Sequence, residues 1–306
     1  MDKLESILVG VDFTPCSASA LRQAVRLSQW NRSSVRAIHV IDTLVVIDLQ
    51  EALSEFQNDI QQGLLSDARR AWEKLAPVEA AKAGVELDVV IGNEAQSILK
   101  AVDDLKVDLL VMGIHGTGSQ CQETGHRPGS GIGELAKACV RSAECRVLLT
   151  DDTHPGAFKN IVVGVDFSPT SIRALETAFR IAAQDDAVLH VVHVFAPPWR
   201  RLHYFTSAPE ASPEFQEKYS TALMGRLEGI VTELGAVATY LKPRFHLVEH
   251  GSDGRGLIEF VTREKADLLV MGTRGRTGFA HVLGSTAERV LRYAPCSMLT
   301  VRAIPS

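Results

Sequence analysis

The 306-residue chain predicts an α/β fold built twice, and two observations carry that prediction. First, the sequence repeats itself. Ile7-Leu8-Val9-Gly10-Val11-Asp12-Phe13-Thr14-Pro15 returns as Ile161-Val162-Val163-Gly164-Val165-Asp166-Phe167-Ser168-Pro169, His39-Val40 as His193-Val194, and Asp108-Leu109-Leu110-Val111-Met112-Gly113 as Asp267-Leu268-Leu269-Val270-Met271-Gly272. Segments that return in one order, with small length changes between them, mark a duplicated domain. Second, short β-branched runs alternate in each half with longer stretches of helical spacing, as in a mainly parallel sheet flanked by helices. The length accommodates two domains of about 150 residues, each large enough for its own apolar core.

The expected strands of the first half are Ser6 to Val11, Val35 to Ile41, Leu87 to Ile91, Val107 to Met112 and Arg146 to Thr150. Those of the second are Asn160 to Val165, Ala187 to Phe195, Arg244 to Val248, Ala266 to Met271 and Ser297 to Val301. The central runs show little polar alternation, as strands covered on both faces should.

Helix starts are equally readable. Thr14-Pro15 and Ser168-Pro169 each place a capping hydroxyl before a proline at the first helical position. Leu49, Leu53, Phe56, Ile60 and Leu64 step at helical spacing, as do Phe215, Tyr219, Leu223, Leu227, Ile230 and Leu234, and both stripes are expected to pack in the core. Pro197-Pro198 and Ser207 to Pro213 read as an exposed loop. Thr150 to Lys159 reads as the linker between a first domain at 1–152 and a second at 158–306.

Composition narrows the function. A formal charge of −5 gives no electrostatic case for nucleic acid or an anionic membrane surface. No apolar run approaches the roughly 18–20 residues that cross a bilayer. The N-terminus carries Asp2, Lys3 and Glu5 before a run too short for a secretion signal. Cys16, Cys121, Cys139, Cys145 and Cys296 form no Cys-x-x-Cys pair and are odd in number, so reduced thiols in the cytoplasm are expected.

After the fourth strand of the second half come Gly272-Thr273-Arg274-Gly275, eight residues, and then Gly284-Ser285-Thr286 opening a helix. A glycine turn leaving a parallel strand exposes main-chain N–H groups, and a helix start adds its dipole and free amides. Arg274 and Arg276 could neutralise phosphate charge. Together these predict an anion site, most naturally for a polyphosphate. A simpler alternative is that Ser285-Thr286-Ala287-Glu288 is a capping box, with Ser285 at the cap, which needs no ligand. Asp166, ending the first strand, could accept from the exocyclic amine of adenine, or could merely order the turn before Ser168-Pro169. Val194 could offer main-chain donor and acceptor to the same ring. In open α/β sheets such ligands sit beyond the strand ends, where strand order reverses.

These residues resemble the universal stress protein family in its tandem-domain form, over almost the whole chain. The resemblance is carried by Val-Gly-Val-Asp-Phe-Ser/Thr-Pro, the second-strand His-Val, Asp-Leu-Leu-Val-Met-Gly running into the glycine loop, and the closing stretch Ala287 to Cys296. It implies two Rossmann-like domains of the adenine nucleotide α-hydrolase type, each a five-stranded parallel sheet of order 3-2-1-4-5. It also implies a cytoplasmic stress-response role and assembly through the last strand. The ATP-binding branch of the family uses Gly-x2-Gly-x9-Gly-Ser/Thr. By that resemblance Asp166 and Val194 would contact adenine, and Met271, Gly272, Gly275, Gly284, Ser285 and Thr286, with the two arginines, would surround ribose and phosphates of ATP, with or without Mg2+. The spacer from Gly275 to Gly284 is one residue shorter than the pattern.

The first half departs further. Aligning Cys145 with Cys296 sets Gly133-Glu134 opposite Gly284-Ser285, with sixteen residues between Gly116 and Gly133. Glu134 then places a negative charge where phosphate should sit. Gly129-Ser130-Gly131 offers a shifted anion turn, with His115 and Arg127 near in sequence. Asp12, Val40, Gly113, Gly116, Gly129 and Ser130 are the candidates for a nucleotide site in this half. Asp12 and Val40 retain the adenine end even without the phosphate end.

Other chemistries find less support. His115, Cys121 and His126 fall in the enlarged loop, but their spacing matches no metal module. The second half carries His190, His193, His203, His246 and His250. Because His193 recurs as His39, it is expected to serve the strand end and not a metal. There is no Gly-x4-Gly-Lys-Ser/Thr loop and no Gly-x-Ser-x-Gly elbow. A nucleotide-responsive regulator is therefore expected, the alternatives being a weak ATPase of the same fold or a structural stress module that binds no nucleotide. The last strand of each half is an edge that invites a partner. The two repeats are expected to satisfy each other as an internal pseudo-dimer, with a homodimer as a further possibility and protein partners unnamed.

Overall fold

The computed structural model describes residues 4–52, 57–75, 78–116, 131–154, 156–201, 212–235, 240–273 and 283–302. The contacts divide into two compact units, one of residues 1–157 with 297–299 and one of residues 158–296 with 300–306.

The strands of the first half are β1 (Ser6–Gly10), β2 (Ser34–Asp42), β3 (Glu86–Gly92), β4 (Leu109–Gly113) and β5 (Arg146–Thr150). They lie in the order β3-β2-β1-β4-β5. The second half repeats this with β6 (Asn160–Gly164), β7 (Val188–Phe195), β8 (Arg244–Glu249), β9 (Leu268–Gly272) and β10 (Ser297–Val301), in the order β10-β9-β6-β7-β8. Neighbouring strands pair in parallel, with Ile7 opposite Val35 and Leu109 in one half and Ile161 opposite Leu189 and Leu268 in the other. All ten expected strands are present, β5 and β10 with the expected limits and the others with an end shifted by one or two residues.

The shift at β4 and β9 has a cause. Lys106 and Lys265 take φ of 50° and 51°, so the chain turns sharply before each strand begins. Asp108 and Asp267, which open the repeated motif, use that turn as anchors. Asp108 Oδ2 accepts from the main-chain N–H of Glu5 at 2.7 Å and Ser6 at 3.0 Å. Asp267 accepts from Lys159 at 2.6 Å and Asn160 at 3.1 Å. Each motif aspartate thus pins the entry to the neighbouring first strand.

The first-half helices are α1 (Pro15–Asn31), α2 (Thr43–Ala52), α3 (Gln57–Leu75), α4 (Val78–Lys82), α5 (Glu94–Asp104) and α6 (Glu134–Ser142). The second half has α7 (Pro169–Asp185), a 3-10 turn at Pro198–Arg201, α8 (Pro213–Glu233), α9 (Asp253–Arg263) and α10 (Ser285–Tyr293). Thr14 and Ser168 cap α1 and α7 as expected, accepting from the N–H of Ser17 and Ser171. Both helices end on a residue in the left-handed region, Arg32 and Asp186. The central strands are fully covered: Leu8, Val9, Ile161, Val162, Val163, Leu268 and Val270 are all buried. Each such aliphatic side chain contributes about 1.5–3 kcal/mol on burial.

One expectation needs correction. The apolar stripes of α2, α3 and α8 lie partly in solvent. Phe215 is exposed, Leu49, Ile60, Leu64, Tyr219, Leu223, Ile230 and Leu234 are half-buried, and among the described residues Val46, Ala68, Leu227 and Val231 reach the interior. Leu53 and Phe56 lie outside the described residues. α3 and α8 pack on β3 and β8, the outermost strands of their halves, and α2 packs on β2 beside α3. Within the expected linker the chain is tied to each unit by hydrogen bonds. Gln23 Nε2 donates to the carbonyls of His154 (3.1 Å) and Gly156 (2.6 Å), and the N–H of buried Phe158 donates to Asp185 Oδ2 at 2.8 Å.

Candidate functional site

In each half the first strand ends in one motif. Asp166 Oδ1 accepts from the main-chain N–H of Ser168 at 3.0 Å and from its Oγ–H at 2.5 Å. Ser168 Oγ accepts in turn from the N–H of Ser171 at 3.2 Å. The first half repeats this with Asp12 and Thr14 at 3.1 and 2.6 Å, and with Ser17 at 3.3 Å. Asp166 therefore does order the turn, and it does so through one carboxylate oxygen. In the first half the other, Asp12 Oδ2, stands 2.9 Å from where a Cβ on Gly116 would sit, so any side chain there would require the carboxylate to shift.

The turn also carries strain. Phe13 and Phe167 adopt φ of 63° and 64°, a region that bulky side chains avoid. Their rings rest on His39 and His193, with centroids 4.6 and 4.5 Å apart. Arg226 of α8 lies over Phe167, its Cζ 4.0 Å from the ring centre. Each histidine holds its place through Nδ1, 2.8 Å from the carbonyl of Val11 or Val165. A carbonyl only accepts, so Nδ1 carries the proton. Sequence reasoning assigned the histidines to the strand end but missed the phenylalanines and Arg226. The Phe that follows each aspartate was the available signal.

The second strand outruns the first. The N–H of Val165 donates to the carbonyl of Val192 at 2.8 Å, whereas the carbonyl of Phe195 accepts from His250 on the opposite side. Alternation along β7 then directs the N–H and C=O of Val194 to the β6 side, beyond the end of β6. Val40 is placed likewise, two residues past Ile38, whose carbonyl takes the N–H of Val11 at 2.9 Å.

The helix after the fourth strand starts without a side-chain cap in both halves. Gly284 is the N-cap of α10 and Gly133 that of α6, and neither start has a side-chain capping bond. Their own N–H groups donate to the carbonyls of Thr273 and Ile114, each at 2.9 Å, which ties each helix start to the end of its strand. The capping-box alternative is thereby corrected: Ser285 is the first helical residue, and glycine occupies the cap. By contrast α1, α5, α7 and α8 are capped by Thr14, Asn93, Ser168 and Ser212. A glycine start leaves the first-turn N–H groups without a side-chain acceptor.

Other candidates fall out differently. Gly272 and Gly113 end their strands against a helix. A Cβ would meet Thr170 Cγ2 at 2.9 Å in one case and Cys16 Cβ at 2.8 Å in the other, so close packing already requires glycine. Met271 is buried. Arg274, Gly275 and Arg276, with Gly129 and Ser130, lie outside the described residues, as do Cys121, His126, Arg127 and His203. In the first half Asp12, Val40, Gly113, Gly116, Gly133 and Glu134 line one cavity of about 500 Å³, together with Glu94, which the sequence had not singled out. Burial, and then the charges of Asp42 and Asp12, raises the Glu94 carboxyl above its ordinary value.

The cysteines and histidines offer no reactive centre among the described residues. Burial pushes Cys16, Cys139 and Cys145 up to about 12, far from thiolate chemistry. No group of three or more His, Cys, Asp or Glu is placed to hold a metal ion among the described residues. No described helix is long and apolar enough to cross a membrane.

The fold and this doubled site define a class. The model of the universal stress protein family matches residues 3–151 and again 157–302, and the chain belongs to that family. It is 26% identical over 310 residues to universal stress protein MT2698 of Mycobacterium tuberculosis, covering 97% of this chain and 96% of that one. Universal stress protein MJ0531 of Methanocaldococcus jannaschii is 33% identical over 147 residues, covering 47% of this chain and 82% of its own. A universal stress protein structure from Archaeoglobus fulgidus superposes with a TM-score of 0.62 at 17% identity, covering 98% of this chain and 99% of that one, which shows the shared fold.

Proposed function

We propose that the second half binds ATP at the strand-end crevice and that the chain acts as a nucleotide-responsive regulator in the stress response. One observation carries the reading. The start of α10 has a glycine cap and no side-chain capping bond, and it is tied to the end of β9, the neighbour of β6. The equivalent positions of the first half share one cavity. In this reading Asp166 and the outward main chain of Val194 hold adenine. The first-turn amides of α10, with the hydroxyls of Ser285 and Thr286, hold phosphate oxygens, with Met271, Gly272, Arg274, Gly275 and Arg276 completing the surround. Mg2+, where present, rides on the triphosphate.

The domain limits of 1–152 and 158–306, a cytoplasmic setting and pairing of the two halves within the chain belong to the same proposal. The reading is tested by releasing and identifying any co-purified nucleotide, and by calorimetry with ATP on the full chain and on Asp166→Ala. Tight binding to the parent chain and at least about a tenfold loss in the variant are expected. Equal affinities would refute the assignment of Asp166.

A further inference from the structure

The two halves share one scaffold and differ most tellingly at the helix start beyond the fourth strand. In the second half the first helical residues are Ser285 and Thr286, both hydroxyl donors; in the first they are Glu134 and Leu135. Glu134 stands in the first turn of α6, where the helix dipole favours an anion. The chain thus supplies from its own side chain the negative charge a phosphate would bring. The Glu134 carboxylate, 90% exposed, accepts from Lys137 Nζ at 2.6 Å, so the cation of that turn is already engaged.

Behind this helix start lies the cavity of about 500 Å³, well within the size range of small-molecule sites. Its described lining includes Asp12, Glu94, Glu134, His39 and His115 and no lysine or arginine, and the Glu134 carboxylate itself is exposed and paired with Lys137. A phosphate at the helix start would meet Glu134 where the second half offers the Ser285 hydroxyl, whereas amine and hydroxyl donors would find acceptors in Asp12 and Glu94. The raised Glu94 carboxyl agrees, since a donor reaching it would relieve the burial that disfavours its charge.

We infer that the first-half cavity is a site for an uncharged purine nucleoside, not for a nucleotide. The inference rests on the adenine end of the reading above, carried over to Asp12 and Val40, and departs from it at the phosphates. The chain then holds two different ligands on one repeated fold, a nucleotide in the second half and a nucleoside in the first.

Competition calorimetry on the full chain tests this. ATP is expected to saturate at one per chain, and adenosine titrated into the ATP-saturated chain should still bind once. Gly116→Val, whose Cβ would crowd Asp12 Oδ2, should abolish that adenosine binding while one ATP still binds, which shows the variant folded. The Glu134→Ser/Leu135→Thr double variant should take a second ATP at least about tenfold more tightly than the parent chain. The inference is overturned if the ATP-saturated chain takes no adenosine, or if the parent chain binds two ATP and adenosine competes for both. Should ATP fail to bind while adenosine binds once and is lost in Gly116→Val, the second-half reading fails and this one stands.

Discussion

Asp166 and Ser168 are joined twice, since one carboxylate oxygen takes both the main-chain N–H and the side-chain hydroxyl of the serine. The serine is also the N-cap of α7. One residue therefore closes the helix and fixes the carboxylate at the crevice. Ser168→Ala should cost about 1 kcal/mol, a fall of about 2–4 °C in the melting temperature of the second half. It should also weaken ATP binding, because Asp166 loses the shorter of its two bonds to residue 168. Differential scanning calorimetry with and without ATP reads both effects. A variant with unchanged melting and affinity would contradict the coupling.

A second pair gives the chain a pH dependence. His190 Nδ1 lies 3.0 Å from His246 Nε2, with the rings stacked and both against Phe260. At the corresponding strand positions the first half places Arg36 against Asp88, 3.8 Å apart. Burial, the largest cause, depresses both histidines below 6.5; Arg244 acts in the same direction on each, with His246 adding to it at His190 and Arg263 at His246, while Glu264 opposes. The unfolded chain then takes up protons first as pH falls. Stability from this pair is full above about pH 6.5 and is lost as pH drops from there through the depressed folded values. Urea unfolding at several pH values should show this loss, and His246→Gln should lessen it. An identical pH profile in the variant would refute the assignment.

Gly272 should tolerate no side chain. Gly272→Ala sets a methyl 2.9 Å from Thr170 Cγ2 and 3.3 Å from the Thr170 main chain. Overpacking of that kind costs about 1–3 kcal/mol. Thr170→Ser removes the nearest methyl and should restore part of the loss, so a double-mutant cycle on denaturant midpoints should give a favourable coupling. Strictly additive losses would mean that the clash is relieved elsewhere.

Cys16, Cys139 and Cys145, each pushed up to about 12 by burial, should resist alkylation in the native chain. Iodoacetamide labelling at pH 8 followed by peptide mapping should modify them only after denaturant is added. Rapid native labelling of Cys16 or Cys139 would show that the core opens more readily than its packing implies.

Most of this fold could be read from the chain because apolar runs and turn residues carry it twice. Ile7 to Val11 and Ile161 to Val165 are buried on both faces, and Thr14-Pro15 and Ser168-Pro169 announce their helices by local chemistry alone. The two copies also exposed Asp12, Val40 and their counterparts. What could not be read depends on contacts distant in sequence. The half-burial of α8 follows from its place over an edge strand, which no helical spacing reveals. Gly284 took the cap from Ser285 because its N–H is held by Thr273, a partner outside the capping-box pattern. Glu94 entered the first-half cavity from α5, far in sequence from Asp12. Arg226 reached Phe167 from another helix, and a cation over a ring leaves no mark in spacing.

Calorimetric titration of ATP into the full chain and into Gly284→Asp tests the central claim most directly. One ATP per parent chain is expected, with a loss of at least about a hundredfold when a carboxylate replaces the glycine cap. Undiminished ATP binding to the aspartate variant would contradict it.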